Sequence, residues 1–274
     1  MNVWLDLMPD WAKAAFKRAR PLEEELYSAS RCLQYVYQRE NGGQLTEYAA
    51  ETSALKGAMI AFWIAKPVPA YYLSVIHAFQ DSPNSVQTVA LESDPVFVPN
   101  LKYHAGKISS DDLDAVRKIH KVIRQTYLDG LNGEDSSLAI AIRFSAKALA
   151  DTWWQSRYLS LWVCLEALFG SESEVSYRIA LRAANFLEQA APARKELFSV
   201  VRQGYKLRSR STHGRPFGAS ERDKAGEAMS LAEELLRISL QKILLDDSLL
   251  KIFLGPDRET YLDSLAFGRQ QLDS

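Results

Sequence analysis

Tyr158-Leu159-Ser160-Leu161-Trp162-Val163-Cys164-Leu165-Glu166-Ala167-Leu168-Phe169 is apolar around the whole helical circumference, and Glu166 is its one charge. A helix that is hydrophobic all round lies inside a protein. The run is also shorter than the roughly 20 residues a membrane-spanning helix requires. An interior helix needs other helices to cover it, and the flanking sequence supplies them.

From Ser109 onward the apolar residues keep a helical period, beginning with Leu113, Val116, His120, Ile123 and Tyr127 on one face. Helices are predicted at about 138–150, 155–169, 174–189, 193–209, 221–245 and 258–267. Ser171-x-x-Glu174 reads as a capping box, Pro192 suits a first helical turn, and Ser220 before Glu221 reads as an N-cap. Upstream, 10–40 reads as helix from Asp10 to the stop at Asn41-Gly42-Gly43. Met59–Ile64, Tyr71–Ile76 and Val86–Leu91 read as β-strands, separated by Lys66-Pro67-Val68-Pro69 and Asp81-Ser82-Pro83-Asn84. The expected architecture is mainly α: a small α+β unit over 1–105, then a helical bundle over 106–274.

The chain has 274 residues, hydrophobics at 47%, and 33 Lys+Arg against 34 Asp+Glu. Such a chain buries a full core, and its near-zero net charge gives no whole-molecule attraction to nucleic acid or membrane. Cys32 and Cys164 are too few for a disulfide framework or a Cys-rich zinc site. No secretory or import segment is read at the N-terminus, which places the protein in the cytoplasm. His77, His104 and His120 have no partner at metal-ligand spacing, and His120 on an apolar stripe reads as a core residue. Asp111, Asp112 and Asp114 read as a helix first turn, not a calcium loop. No metal or cofactor is implied.

The charge is local. Arg194 to Lys224 carries nine basic against three acidic residues, enough to hold a polyanion through counterion release or to form a solvated basic face. Inside it, Leu197, Val201, Tyr205 and Arg208 follow one helical stripe. A guanidinium on a buried stripe needs an acidic partner, a ligand phosphate or another subunit. Glu166 needs a donor in turn, and Arg208, Arg178 and Arg182 are the candidates. His213 lies five residues beyond Arg208, about 140° round the helix, so the two converge only if the helix ends between them. Ser209-Arg210-Ser211-Thr212 and Gly214 favour such an ending. Arg and His in a last turn also stabilise helix carbonyls with no catalysis at all.

Three blocks, Cys164-Leu165-Glu166-Ala167-Leu168-Phe169-Gly170, then Glu174-Val175-Ser176-Tyr177-Arg178-Ile179-Ala180-Leu181-Arg182, then Tyr205-x-Leu207-Arg208-Ser209-x4-Gly214, resemble the ApeA-like branch of the HEPN superfamily. The likeness covers roughly 109–267. It implies a helical domain that pairs two-fold, bringing two Arg-x4-6-His motifs together as a metal-independent endoribonuclease in bacterial antiviral defence or a toxin-like role. Arg208 and His213 match the motif's two defining positions, and Glu166 matches an acidic position. Arg178, Tyr205, Arg210 and Arg215 are then substrate-binding candidates. Ser209 stands where that Arg is commonly followed by Asn, Asp or His. Arg215 stands where the nucleotidyltransferase-partnered branch has Tyr, which argues against that toxin type.

The residue types suit the chemistry. RNA carries its own nucleophile, the 2′-hydroxyl, so cleavage needs a base, an acid and a cation at the phosphorane. Imidazole gives or takes a proton near neutrality, and guanidinium offers a planar fork to two phosphate oxygens. The alternative is a non-catalytic module of the same kind that binds RNA, a nucleotide or a partner protein. A third reading is a scaffold in which Arg208 and Glu166 form a structural ion pair.

Overall fold

A computed structural model of the chain describes residues 57–66, 75–82, 85–92, 109–131, 133, 135–151, 153–213 and 219–267. The expected helix over 10–40 lies outside them. Two compact units separate, Met1–Gly42 with Tyr71–Val96, and Gly43–Ala70 with Phe97–Ser274. In the first, β1 (Val75–Ser82) and β2 (Ser85–Glu92) pair antiparallel, with Ile76 opposite Leu91. β2 coincides with the expected Val86–Leu91 strand.

The second unit is helical. In order come α1 (57–65), α2 (Ser110–Leu131), α3 (Ser137–Ala150), α4 (Trp154–Phe169) and α5 (Val175–Leu187), followed by α6 (Ala191–Thr212), α7 (Ala219–Leu245), α8 (Asp247–Leu254) and α9 (Arg258–Ser264). At the centre, α4 packs against α3, α5, α6 and α7. Tyr158, Leu161, Trp162, Cys164, Leu165, Leu168 and Phe169 are each at most 1% exposed, as an all-round apolar helix requires. Cys164 sits in this core, and burial pushes its thiol well above the ordinary range, so it is an inert packing residue. No helix among the described residues is long and apolar enough to cross a membrane.

The Met59–Ile64 run is helix, not strand, and it belongs to the helical unit although it precedes the sequence boundary near 105. Met59, Ile60, Ala61, Trp63 and Ile64 are all buried, and a short continuous apolar run has no period by which helix and strand can be told apart. Tertiary partners decide it. Gly57 lies against Ile123 and His120 of α2, Arg237 and Gln241 of α7 donate to the carbonyls of Ile64 and Ala65, and Lys66 pairs with Asp112 at 2.5 Å. The last carbonyls of α1 are thereby satisfied from α7, which a helix end requires when buried.

Local signals end several helices. Ser109 and Asp112 form a reciprocal cap on α2, since the Asp112 amide donates to Ser109 Oγ and the Ser109 amide to Asp112 Oδ2. The buried face of α2 is Val116, Ile119, Ile123 and Thr126, a rotation from the expected one that leaves Leu113 exposed and His120 only half-buried. The expected Ser171–Glu174 box does not form. Ser171 Oγ donates to the Ser173 carbonyl instead, and Glu174 occupies the N-cap in the left-handed region, φ 51, so the chain enters α5 by a turn. Pro192 does lie in the first turn of α6. Ser220 lies inside α7, which already includes Ala219, and is not its cap.

Candidate functional site

Three residues of α4 spaced by four, Tyr158, Trp162 and Glu166, face Gly204, Tyr205 and Arg208 of α6. Both sets are helical stripes, so two helices crossing at close range bring them into register. Gly204 makes the approach close: a Cβ there would stand 2.7 Å from Trp162 Cζ2. Its carbonyl accepts a 2.7 Å hydrogen bond from the Tyr158 hydroxyl. Trp162 is wedged edge-on between Tyr158 and Tyr205, with ring centroids at 6.1 and 5.4 Å. This aromatic hinge fixes where the next turn of α6 presents Tyr205 and Arg208.

There Arg208 meets Glu166. Nη2 lies 2.9 Å from Oε1 and 3.2 Å from Oε2, and the guanidinium stacks over Tyr205, 5.4 Å from its centroid. Tyr205 favours the charged form of the Glu166 carboxyl. Burial raises the Glu166 carboxyl above its ordinary value, while Arg208 and then Tyr205 oppose that rise. Burial likewise raises Tyr205, helped by the negative charge of Glu166. The pair is only part-buried, with side chains 23% and 25% exposed. Arg208 Nε is buried with no hydrogen-bond partner.

Of the three candidate donors to Glu166, Arg208 is the one in contact. Arg178 and Arg182 turn toward α9. Arg178 pairs with Asp263 at 3.4 Å, and Arg182, 1% exposed, reaches Asp263 at 2.8 Å and Glu259 at 3.3 Å. Arg182 Nη1 also donates to the carbonyls of Phe169 and Gly170, and Arg258 donates to that of Ala167. Together they satisfy the C-terminal carbonyls of α4 one turn beyond Glu166. Arg178 is therefore part of a structural clamp, not a neighbour found beside Glu166.

α6 does not end between Arg208 and His213. It continues through Thr212, and His213 is its exposed C-cap, with an N–H that donates to the Ser209 carbonyl at 3.3 Å. The Ser-Arg-Ser-Thr run expected to break the helix lies within it. Ser211 Oγ donates to the Leu207 carbonyl and Thr212 Oγ1 to that of Arg208, four residues back. Within one chain, Arg208 and His213 therefore diverge by about 140°. Arg210 is half-buried in the same last turn, and Arg215 lies outside the described residues.

The sequence reading missed a second ion pair, Arg157–Glu233 at 2.8 Å, which joins α4 to α7 with side chains 8% and 0% exposed. Its signal was present: Glu233 stands four residues after Met229 and three before Leu236, on the apolar stripe of α7. Among the described residues no group of three His, Cys, Asp or Glu side chains is arranged to hold a metal ion. Compared with protein families, with curated proteins and with solved structures, the chain has no match.

Proposed function

We propose that this chain is a metal-independent endoribonuclease of HEPN type, working as a homodimer whose composite site contains Arg208 and His213, with Glu166 in support. The observation that carries the reading is the Glu166–Arg208 contact at 2.9 Å. It joins the acidic position and the Arg of the motif at a solvent-accessible edge, on the same helix that ends in an exposed His213. Because the two motif residues diverge in one chain, a second copy is needed to place an imidazole over a phosphate held by Arg208.

In the reaction, one imidazole removes the 2′-hydroxyl proton as O2′ attacks phosphorus. Arg208 stabilises the charge that develops on the phosphoryl oxygens, and a second imidazole protonates O5′ as the P–O5′ bond breaks. The products carry 2′,3′-cyclic phosphate and 5′-hydroxyl ends. Glu166 orients the guanidinium. The biological setting consistent with this chemistry is a defence or toxin-like role.

The test is incubation of RNA with the wild-type chain, Arg208→Ala and His213→Ala in EDTA, alongside sedimentation to read the oligomeric state. A cutting wild-type dimer and two inert, folded variants are expected. Absence of cleavage by a folded wild-type dimer overturns the reading.

A second reading is favoured by the neutralisation of Arg208 by Glu166: a non-catalytic module that binds RNA, a nucleotide or a protein. On that reading His213→Ala retains the full affinity of a wild type that never cuts.

A further inference from the structure

Lys195, Arg202, Lys206 and His213 stand at i, i+7, i+11 and i+18 along α6. At about 100° per residue they fall within about 40° of one another, on a straight line about 27 Å long. All four are exposed, and the line runs down the middle of the solvent face, opposite the buried Val201 and Gly204. Glu196 is the one acid in α6, and it lies about 100° away from Lys195. A solvated helix face ordinarily alternates its signs through i, i+4 pairs. This stripe carries cations alone and ends on an imidazole.

A second observation stands near the start of the stripe. Tyr177, 46% exposed at the beginning of α5, meets Phe198 of α6 edge-on at 5.5 Å, and Arg202 lies over the other ring, 5.6 Å from its centroid. An exposed aromatic ring beside a line of cations is the combination with which proteins hold single strands: the cations track phosphates and the rings stack bases without sequence preference.

We infer that this stripe is the track for a single RNA strand, with Tyr177 and Phe198 stacking bases at one end and Lys195, Arg202 and Lys206 leading the phosphates to His213. The inference rests on the ribonuclease reading for the identity of the strand and for the role of His213. It explains why His213 faces outward on the cationic line while Arg208 faces Glu166. The strand arrives along one copy's α6, and the fork that holds the scissile phosphate belongs to the site at the helix end.

The test uses a fluorescent RNA of about 12 nucleotides, within the range such surfaces occupy, made with 2′-O-methyl groups so that it cannot be cut by 2′-hydroxyl attack. Its anisotropy is followed against salt with the full chain. Replacing Lys195, Arg202 and Lys206 by Ser is expected to flatten the log K against log salt slope by about 2, since a single strand loses about 0.7 per phosphate contact. Tyr177→Ala is expected to weaken binding about fivefold or more at unchanged slope. A charge-matched control, Arg117, Lys121 and Lys251 replaced by Ser on the exposed faces of α2 and α8, is expected to leave the slope intact. Equal losses in the two triple variants, or no loss in either, overturn the inference. If the stripe variant alone loses affinity while wild-type protein never cuts unmodified RNA, the stripe stands as a binding track and the nuclease reading fails.

Discussion

Gly204→Ala is the substitution on which the geometry of the site turns. The new Cβ would lie 2.7 Å from Trp162 Cζ2 and 3.4 Å from Cη2, about 1 Å inside the 3.5 to 4.0 Å at which carbon atoms attract. Trp162 has no room to yield, because it is 1% exposed and held between two tyrosine edges. Overpacking of this kind costs about 1–3 kcal/mol, and a contact this short belongs in the upper half. Replacing Gly by Ala inside a helix returns about 0.8–1.0 kcal/mol of propensity. The net expectation is a loss of about 1–2 kcal/mol, read as a lower urea midpoint by far-ultraviolet circular dichroism. Trp162→Phe removes the two clashing carbons, so a double-mutant cycle should return a coupling of about 1 kcal/mol or more. RNA cleavage should fall as well, since α6 must move Tyr205 and Arg208 away from Glu166 to relieve the clash. Stability of Gly204→Ala at or above wild type, with additive effects in the cycle, would refute the close packing of α4 on α6.

Three further predictions follow from the same physics. Arg182→Ala strands the carbonyls of Phe169 and Gly170 and removes one partner each of Asp263 and Glu259, which are half-exposed and keep Arg178 and Arg258; chemical denaturation should show a loss of about 2–4 kcal/mol, mostly from the unpaired carbonyls, and Arg182→Lys should rescue little because an ammonium lacks the planar fork. Asp112 is held down from 3.8 to about 2, first by its hydrogen bond from Lys66 and then by Ser109. A depressed carboxylate stabilises above its unfolded value and loses that contribution as pH falls from 3.8 toward about 2; Lys66→Met should raise the Asp112 titration midpoint seen by carboxyl NMR and weaken the acid dependence in that window. Mixing wild type with His213→Ala in equal amounts should leave about a quarter of wild-type cleavage if each copy must supply an imidazole, because about a quarter of the exchanged dimers then hold two; half the activity retained on exchange-competent mixing would argue against a site shared in that way.

Much of the helical unit can be read from period and caps. The all-round apolar character of 158–169 implies a central helix, and the stripe from Leu197 to Arg208 implies that a charge turns inward. The need of Glu166 for a donor narrows to three arginines, of which Arg208 makes the contact. What stayed hidden depends on partners far away in sequence. Met59–Ile64 has no period of its own, and α7 capping its carbonyls holds it as helix. Arg178 and Arg182 stand one turn apart and suit Glu166 equally by spacing, but the carboxylates of α9, some 80 residues on, claim them. The polar run before His213 was expected to end α6, because hydroxyls compete with helix carbonyls; Ser211 and Thr212 instead bond back to carbonyls four residues earlier, within a helix that continues through Thr212. The contact of Arg208 with Glu166 is thus legible in residue types and helical period, while the placement of His213 depends on where a helix stops.

The central claim is that Arg208 and His213 cleave RNA through its own 2′-hydroxyl. The most direct measurement pairs wild type with His213→Ala on one RNA in EDTA, beside the same RNA carrying a single 2′-deoxy sugar at the cut position, and identifies the ends of the fragments. Wild type alone is expected to give 2′,3′-cyclic phosphate and 5′-hydroxyl ends, with no cut at the deoxy position. Cleavage that persists at the deoxy sugar or survives His213→Ala would contradict that claim, as would a folded, dimeric wild type that leaves RNA intact.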